Sequence, residues 1–147
     1  MANTREDTDG QGTTAPLVRL LGQVERRVSR QLEATLAEER LTVDQWRVLD
    51  LLSEGPGRTM SYIAAATGVP GPTLTKIVDR LIDAAAVYRL VDPRDRRRVL
   101  AFISDDGRLL HDRLAPRVTR TEADALSALG EDAPTMIRLL VRLAADR

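Results

Sequence analysis

Residues 61–84 read SYIAAATGVPGPTLTKIVDRLIDA. A short helix is expected around Ser61–Thr67, closed by Gly68, and the chain then turns through Val69-Pro70-Gly71-Pro72. A second helix is expected from Thr73 to about Ala84. Leu74, Ile77, Val78 and Leu81 recur in it at three- and four-residue steps, so one face is apolar and the other is free for contacts. Pro72 sits near the first turn, where proline costs the helix no hydrogen bond. Short helix, tight turn and second helix make a helix-turn-helix. Taken alone, the pattern also suits a helical hairpin with a purely structural role.

The residues that follow discriminate. Val87–Val91 and Val99–Ile103 are β-rich runs on either side of Asp92-Pro93-Arg94-Asp95-Arg96-Arg97-Arg98. That connection is too long for a two-residue turn, so its tip projects from a hairpin. A charge run is most often a solvated loop. Here it follows a candidate recognition helix, which is the layout of a winged helix, and an arginine on such a tip can enter a DNA minor groove. Between residues 55 and 104 there are eight basic and four acidic side chains. With a chain total of zero, this segment carries +4 and the remainder −4. A basic centre between acidic ends suits a surface that faces phosphates on one side only.

On the N-terminal side, Thr42 precedes Val43-Asp44-Gln45 at capping-box spacing. A helix carrying Trp46, Val48, Leu49, Leu51 and Leu52 follows, and Gly55-Pro56-Gly57 ends it. Earlier still, Leu17, Leu20, Leu21, Val24, Val28, Leu32 and Leu36 form one apolar stripe on a helix from Pro16 to about Glu39. Such a helix is roughly 36 Å long and should pack partly on something outside its own core. Beyond the hairpin, helices are expected over about Asp105–Leu129 and Pro134–Ala145, with Pro116 kinking or dividing the first. The expected fold is mainly α with a small β-hairpin wing, in the order α-α-α-α-β-β-α-α. Residues 1–14 read as a disordered tail and 15–147 as one domain.

Composition narrows the function. The chain has 147 residues, 43% hydrophobic and 30% charged, which is enough for one soluble core. With no cysteine, thiol catalysis, disulfides and cysteine-ligated zinc are excluded, and a lone His111 makes no histidine-pair metal site. His111 itself reads as structural or surface-exposed. Asp105-Asp106 resembles a carboxylate pair, yet at a helix start the macrodipole explains it better. No Gly-rich phosphate loop and no Ser-His-Asp set stands out, so neither an enzyme nor a cofactor is expected. The first residues lack the apolar stretch of a secretion signal, and no run approaches the roughly 18 to 20 apolar residues of a membrane span. A cytoplasmic protein is the expectation. Only Lys76 among the 22 basic residues is lysine, a bias that reads first as GC-rich coding.

The stretch from Leu41 to Leu110 resembles the multiple-antibiotic-resistance regulator (MarR) family of winged-helix proteins. DPRDRRRVLAFISDDG, residues 92–107, is similar to the family's wing followed by its Leu-Thr-x-x-Gly entry to the next helix. The resemblance implies a homodimeric transcription factor, most often a repressor, that binds a pseudo-palindromic operator. Residues 15–40 and 105–147 would supply the dimerisation helices and 41–104 the DNA-binding lobe. On the recognition helix it assigns Pro72, Thr73, Thr75, Lys76 and Arg80. Ser61 would touch phosphate from the preceding helix, Asp95 would hold the wing loop, and Arg97 would reach the minor groove. Arg94, Arg96 and Arg98 are better aimed at phosphates.

Two departures stand out. Ala85 replaces the glycine that usually follows the recognition helix, at a cost on the order of 1 kcal/mol if the left-handed conformation is kept, so the helix is expected to end differently. Ile103-Ser104 replaces Leu-Thr, which preserves a hydroxyl cap. Family members often have a small-molecule cleft between the dimer helices and the DNA-binding lobe. Trp46 with Arg19 is the candidate pair there, suited to an aromatic carboxylate. Two alternatives remain: a winged helix that binds another protein, and a ligand-binding protein without DNA binding. The chain's four aromatics (Trp46, Tyr62, Tyr88 and Phe102) are few for the first.

Overall fold

The computed structural model describes residues 16–145, so the expected tail at 1–14 lies outside the described residues. Helix α1 spans Leu17–Leu36 and ends in a 3₁₀ turn, Ala37–Glu39. Helix α2, Val43–Ser53, starts with the expected capping box: Thr42 N–H donates to Gln45 Oε1 at 2.9 Å, and Gln45 N–H to Thr42 Oγ1 at 3.2 Å. After the glycine-proline turn comes a strand that sequence patterning does not reveal, β1, Arg58–Thr59. Two residues are too few to show alternation. β1 pairs with the wing and makes the hairpin a three-stranded antiparallel sheet in the order β1-β3-β2.

Helix α3, Met60–Thr67, begins one residue before Ser61 because the Thr59 hydroxyl accepts from Tyr62 N–H at 3.2 Å. It closes on Gly68 at φ +71. The recognition helix α4 runs Gly71–Asp83, two residues earlier than expected at its start, with Pro72 in the first turn. Strands β2, Val87–Val91, and β3, Val99–Ile103, fall on the expected runs.

The end of α4 corrects the expectation for Ala85. It keeps the left-handed conformation, at φ +58, despite its methyl group. Ala86 N–H donates to Leu81 O at 2.9 Å and Ala85 N–H to Ile82 O at 2.8 Å, the paired bonds of a Schellman cap. The helix therefore ends as one with glycine would. Ser104 explains the tolerance: its Oγ donates to Ala85 O and its N–H to Ala86 O, so the next helix ties the cap down.

That helix, α5, is Asp105–Leu126, with Asp105 and Asp106 in its first turn and Gly107 N–H donating to Ser104 Oγ. Gly107 is required for packing, since a Cβ there would fall 2.0 Å from Ala86 O. α5 continues unbroken through Pro116, which therefore does not divide it. It stops three residues short of the expected Leu129. A 3₁₀ segment, Ser127–Asp132, leads to α6, Ala133–Ala145, through Gly130 at φ +52.

Two apolar clusters organise these elements. Thirteen buried residues close the winged-helix lobe, centred on Leu49, Leu52, Ile63, Leu74, Val78 and Leu81. A second cluster joins Leu32 and Leu36 of α1 to Val43 and Trp46 of α2 and to Leu114 and Val118 of α5. It fixes the lobe to the outer helices.

Candidate DNA-binding surface and effector cavity

On α4 the buried and exposed positions separate cleanly. Leu74, Ile77, Val78 and Leu81 face the core, while Pro72, Thr73, Thr75, Lys76 and Arg80 are all exposed. Thr75 Oγ1 donates to Gly71 O at 3.2 Å, which leaves its lone pairs free to accept. The base of the wing is fixed to this helix by an ion pair, Arg89 to Asp79, at 2.7 Å.

The wing tip is ordered by two aspartates. Asp95 Oδ1 accepts from Arg97 N–H at 3.0 Å, which matches the loop-holding role expected for it. Asp92, buried and unassigned by the sequence reading, accepts from Arg94 N–H at 2.9 Å, and its own N–H closes the loop onto Arg98 O at 2.8 Å. Aspartate bonding to backbone two residues on is the available signal for this role. Arg94, Arg96, Arg97 and Arg98 are exposed, and none is in an ion pair among the described residues.

Ser61, Arg97 and Arg98 come together. With Thr59 and Met60 they line an open depression of about 430 Å³ between the start of α3 and the wing. Beside it the Arg58 guanidinium lies over the Tyr62 ring, 4.7 Å from its centroid. Neither residue was singled out from sequence, because the contact depends on β1. The geometry brings Ser61 of α3 and Arg97 and Arg98 of the wing to one depression.

A second concavity, about 210 Å³, lies between α1, α2 and α5. Val28, Leu32, Val43 and Trp46 give it apolar and aromatic walls; Glu25, Asp50 and Glu122 bring carboxylates and Arg47 the cation. Trp46 is in its expected place. Arg19 is not: it is exposed in the first turn of α1 and does not line this cavity, whereas Arg47, next to Trp46 in sequence, does. The ring of His111 stacks on Trp46 with centroids 5.1 Å apart, and His111 Nε2 lies 2.9 Å from Asp50 Oδ1. The histidine is thus a structural bridge from α5 to α2.

Arg47 is already engaged, through Glu25 at 2.8 Å and Asp44 at 3.0 Å. Hydrogen bonds from Ser29 and Arg47 hold the Glu25 carboxyl below the usual carboxylate range. Glu122 behaves oppositely, because desolvation and the neighbouring Asp50 push its carboxyl up.

The family model described as MarR family matches residues 41–98, the winged-helix lobe up to the start of β3. The HTH-type transcriptional regulator FarR of Neisseria gonorrhoeae is 28% identical over 123 residues, covering 83% of this chain and 84% of its own. Among solved structures, the transcriptional repressor CouR bound to a 23-mer DNA duplex is 30% identical, with a TM-score of 0.76 over 87% of this chain and 92% of that one. The chain belongs to the MarR family. NadR, solved in complex with 4-hydroxyphenylacetate, is 26% identical and superposes with a TM-score of 0.80 over 95% of this chain and 99% of that one. This MarR-family protein is therefore a winged-helix transcriptional regulator, and its α1, α5 and α6 fall within the shared fold. Among its described residues no helix is long and apolar enough to cross a membrane.

Proposed function

We propose that this MarR-family chain is a repressor that binds a pseudo-palindromic operator as a homodimer and responds to a small aromatic molecule held in the α1–α2–α5 cavity. The observation that carries the DNA reading is the convergence of Ser61, Arg97 and Arg98 on one depression, in a lobe whose α4 keeps Thr73, Thr75 and Lys76 exposed. Thr73, Thr75 and Lys76 read the major groove, with Pro72 and Arg80 at the edges of the contact. Arg97 enters the minor groove, and Arg94, Arg96 and Arg98 bind phosphates. Dimerisation sets the two recognition helices about one helical turn of DNA apart. It is supported by the exposure of Leu17, Leu20, Leu21 and Val24 on α1 and of Leu139, Leu140 and Leu143 on α6. The interface should exceed about 2,000 Å² in total, the range of permanent homodimers.

An effector in the cavity touches α1, which carries dimer contacts, α5, which leads into α6, and α2, which belongs to the lobe. It shifts DNA affinity by preferring one spacing of the lobes over another. The protein acts by binding, without a catalytic step, in the cytoplasm. Selection of bound sequences from a random duplex pool tests the reading. Enrichment of a two-fold symmetric site with half-sites about one turn apart is expected. Recovery of no preferred sequence would overturn it.

A further inference from the structure

The effector cavity carries charge opposite to what an acidic ligand needs, and we propose that this protein's effector is a small aromatic cation, an amine or amidine. The inference rests on the reading of the α1–α2–α5 cavity as the effector site. Three carboxylates line that cavity, Glu25, Asp50 and Glu122, against one guanidinium. Arg47 is not free to receive a ligand carboxylate, since it is paired with both Glu25 and Asp44. Arg19, the other cation suggested by the sequence, does not line the cavity.

Of the carboxylates facing the space, Glu25 and Asp50 have partners within the protein and Glu122 has none among the described residues. From α1, Glu25 is satisfied by Ser29 and Arg47. From α2, Asp50 accepts from or pairs with His111 Nε2, whose other ring nitrogen lies 3.3 Å from Asp112. From α5, Glu122 makes no hydrogen bond or ion pair among the described residues and sits in the field of Asp50. Two carboxylates on facing helices, one of them unpaired, repel an anion and gain from a cation placed between them. Trp46, Leu32 and Val43 supply the apolar wall that an aromatic ring would bury against. An aromatic ring packed on that wall would carry its ammonium group to a carboxylate of the same cavity.

The test uses three probes that share a para-substituted phenol ring and differ in charge: tyramine, p-cresol and 4-hydroxyphenylacetate, titrated against the full chain and read by thermal shift and calorimetry. Tyramine should bind at least about tenfold more tightly than 4-hydroxyphenylacetate, as a charge-assisted contact allows, with p-cresol between them. Glu122→Gln and Asp50→Asn should each weaken tyramine about three- to tenfold and leave p-cresol unchanged, which shows that the cavity is intact. If 4-hydroxyphenylacetate binds as well as tyramine and Trp46→Ala abolishes it, the charge inference fails while the cavity remains the effector site. If none of the three binds, or if all bind equally well to Trp46→Ala, the cavity reading fails with it. Tyramine binding untouched by both carboxylate substitutions would also overturn the proposal.

Discussion

In the winged-helix lobe, α2, α3, α4 and the sheet turn their apolar side chains toward one another, and Val48, Leu49, Ile63, Leu74 and Val78 are wholly buried. In α6, none of the residues from Ala133 to Ala145 is buried, and Leu139, Val141 and Leu143 are each more than half exposed. α1 is divided between the two conditions. Its C-terminal Leu32 and Leu36 pack against Trp46 and Leu114, while its N-terminal Leu17, Leu20 and Leu21 face outward. The lobe buries its apolar side chains within one chain; in the proposed dimer a second chain covers the outer helices. In the proposed dimer, that division separates the part that would touch DNA from the part that would set the distance between two such contacts.

The strongest way to break the contrast is to charge the outer face. Leu21→Glu combined with Leu143→Glu should remove roughly 4 kcal/mol or more of association energy, because symmetry counts each change twice and a carboxylate is stranded in an apolar interface. Sedimentation should show monomers at micromolar concentration with the lobe's helical signal retained. A persistent dimer would mean that these faces are not the interface.

An equivalent insult where α5 packs on the lobe should act on folding. Gly107→Ala places a methyl group against Ala86 O, so urea unfolding should reveal a loss of about 3 kcal/mol. Equal stability would show that α5 can retreat from the recognition-helix cap at little cost.

Smaller effects sharpen the picture at the DNA surface. Arg97→Ala should weaken operator binding by about 2 kcal/mol and lower the salt slope by about one. Its sequence effect should be confined to flanking A·T-rich positions, whereas Thr75 and Lys76 substitutions should relax the inner half-site bases. Loss of inner-base discrimination in Arg97→Ala would refute the proposed docking. Ala85→Gly should stabilise the lobe by about 1 kcal/mol, since it relieves a left-handed alanine. Unfolding midpoints of the two proteins provide the comparison.

The smallest effect is a pH dependence. Glu122 has its carboxyl raised in the folded protein, so its stabilising contribution belongs to acid and is lost as pH rises through the shifted value. Glu122→Gln should therefore raise the unfolding free energy at neutral pH by less than about 0.5 kcal/mol, with solvent screening keeping it small, and should change nothing in acid. Glu25 runs the other way. Its lowered carboxyl stabilises above the usual carboxylate range and loses that contribution as pH falls.

The helices and the wing could be read from sequence because each depends on local signals. Thr42 with Gln45, Gly68, Pro72 and the alternation of Val87–Val91 and Val99–Ile103 act within a few residues of themselves, and the structure keeps all of them. The exposed face of α4 was legible for the same reason, since the spacing of Leu74, Ile77, Val78 and Leu81 dictates which side chains are left outside. Other features depended on residues far apart in the chain. β1 exists because Arg58 meets Ala101, and Ala85 can stay left-handed because Ser104 holds its carbonyl. Likewise Arg47, and not Arg19, lines the cavity because Leu36 and Trp46 pack α1 on α2 near the C-terminal end of α1. Short-range capping and periodicity are written in the order of residues; the partners of Gly107, Asp92, His111 and Glu122 are set only when distant segments compete for the same buried space.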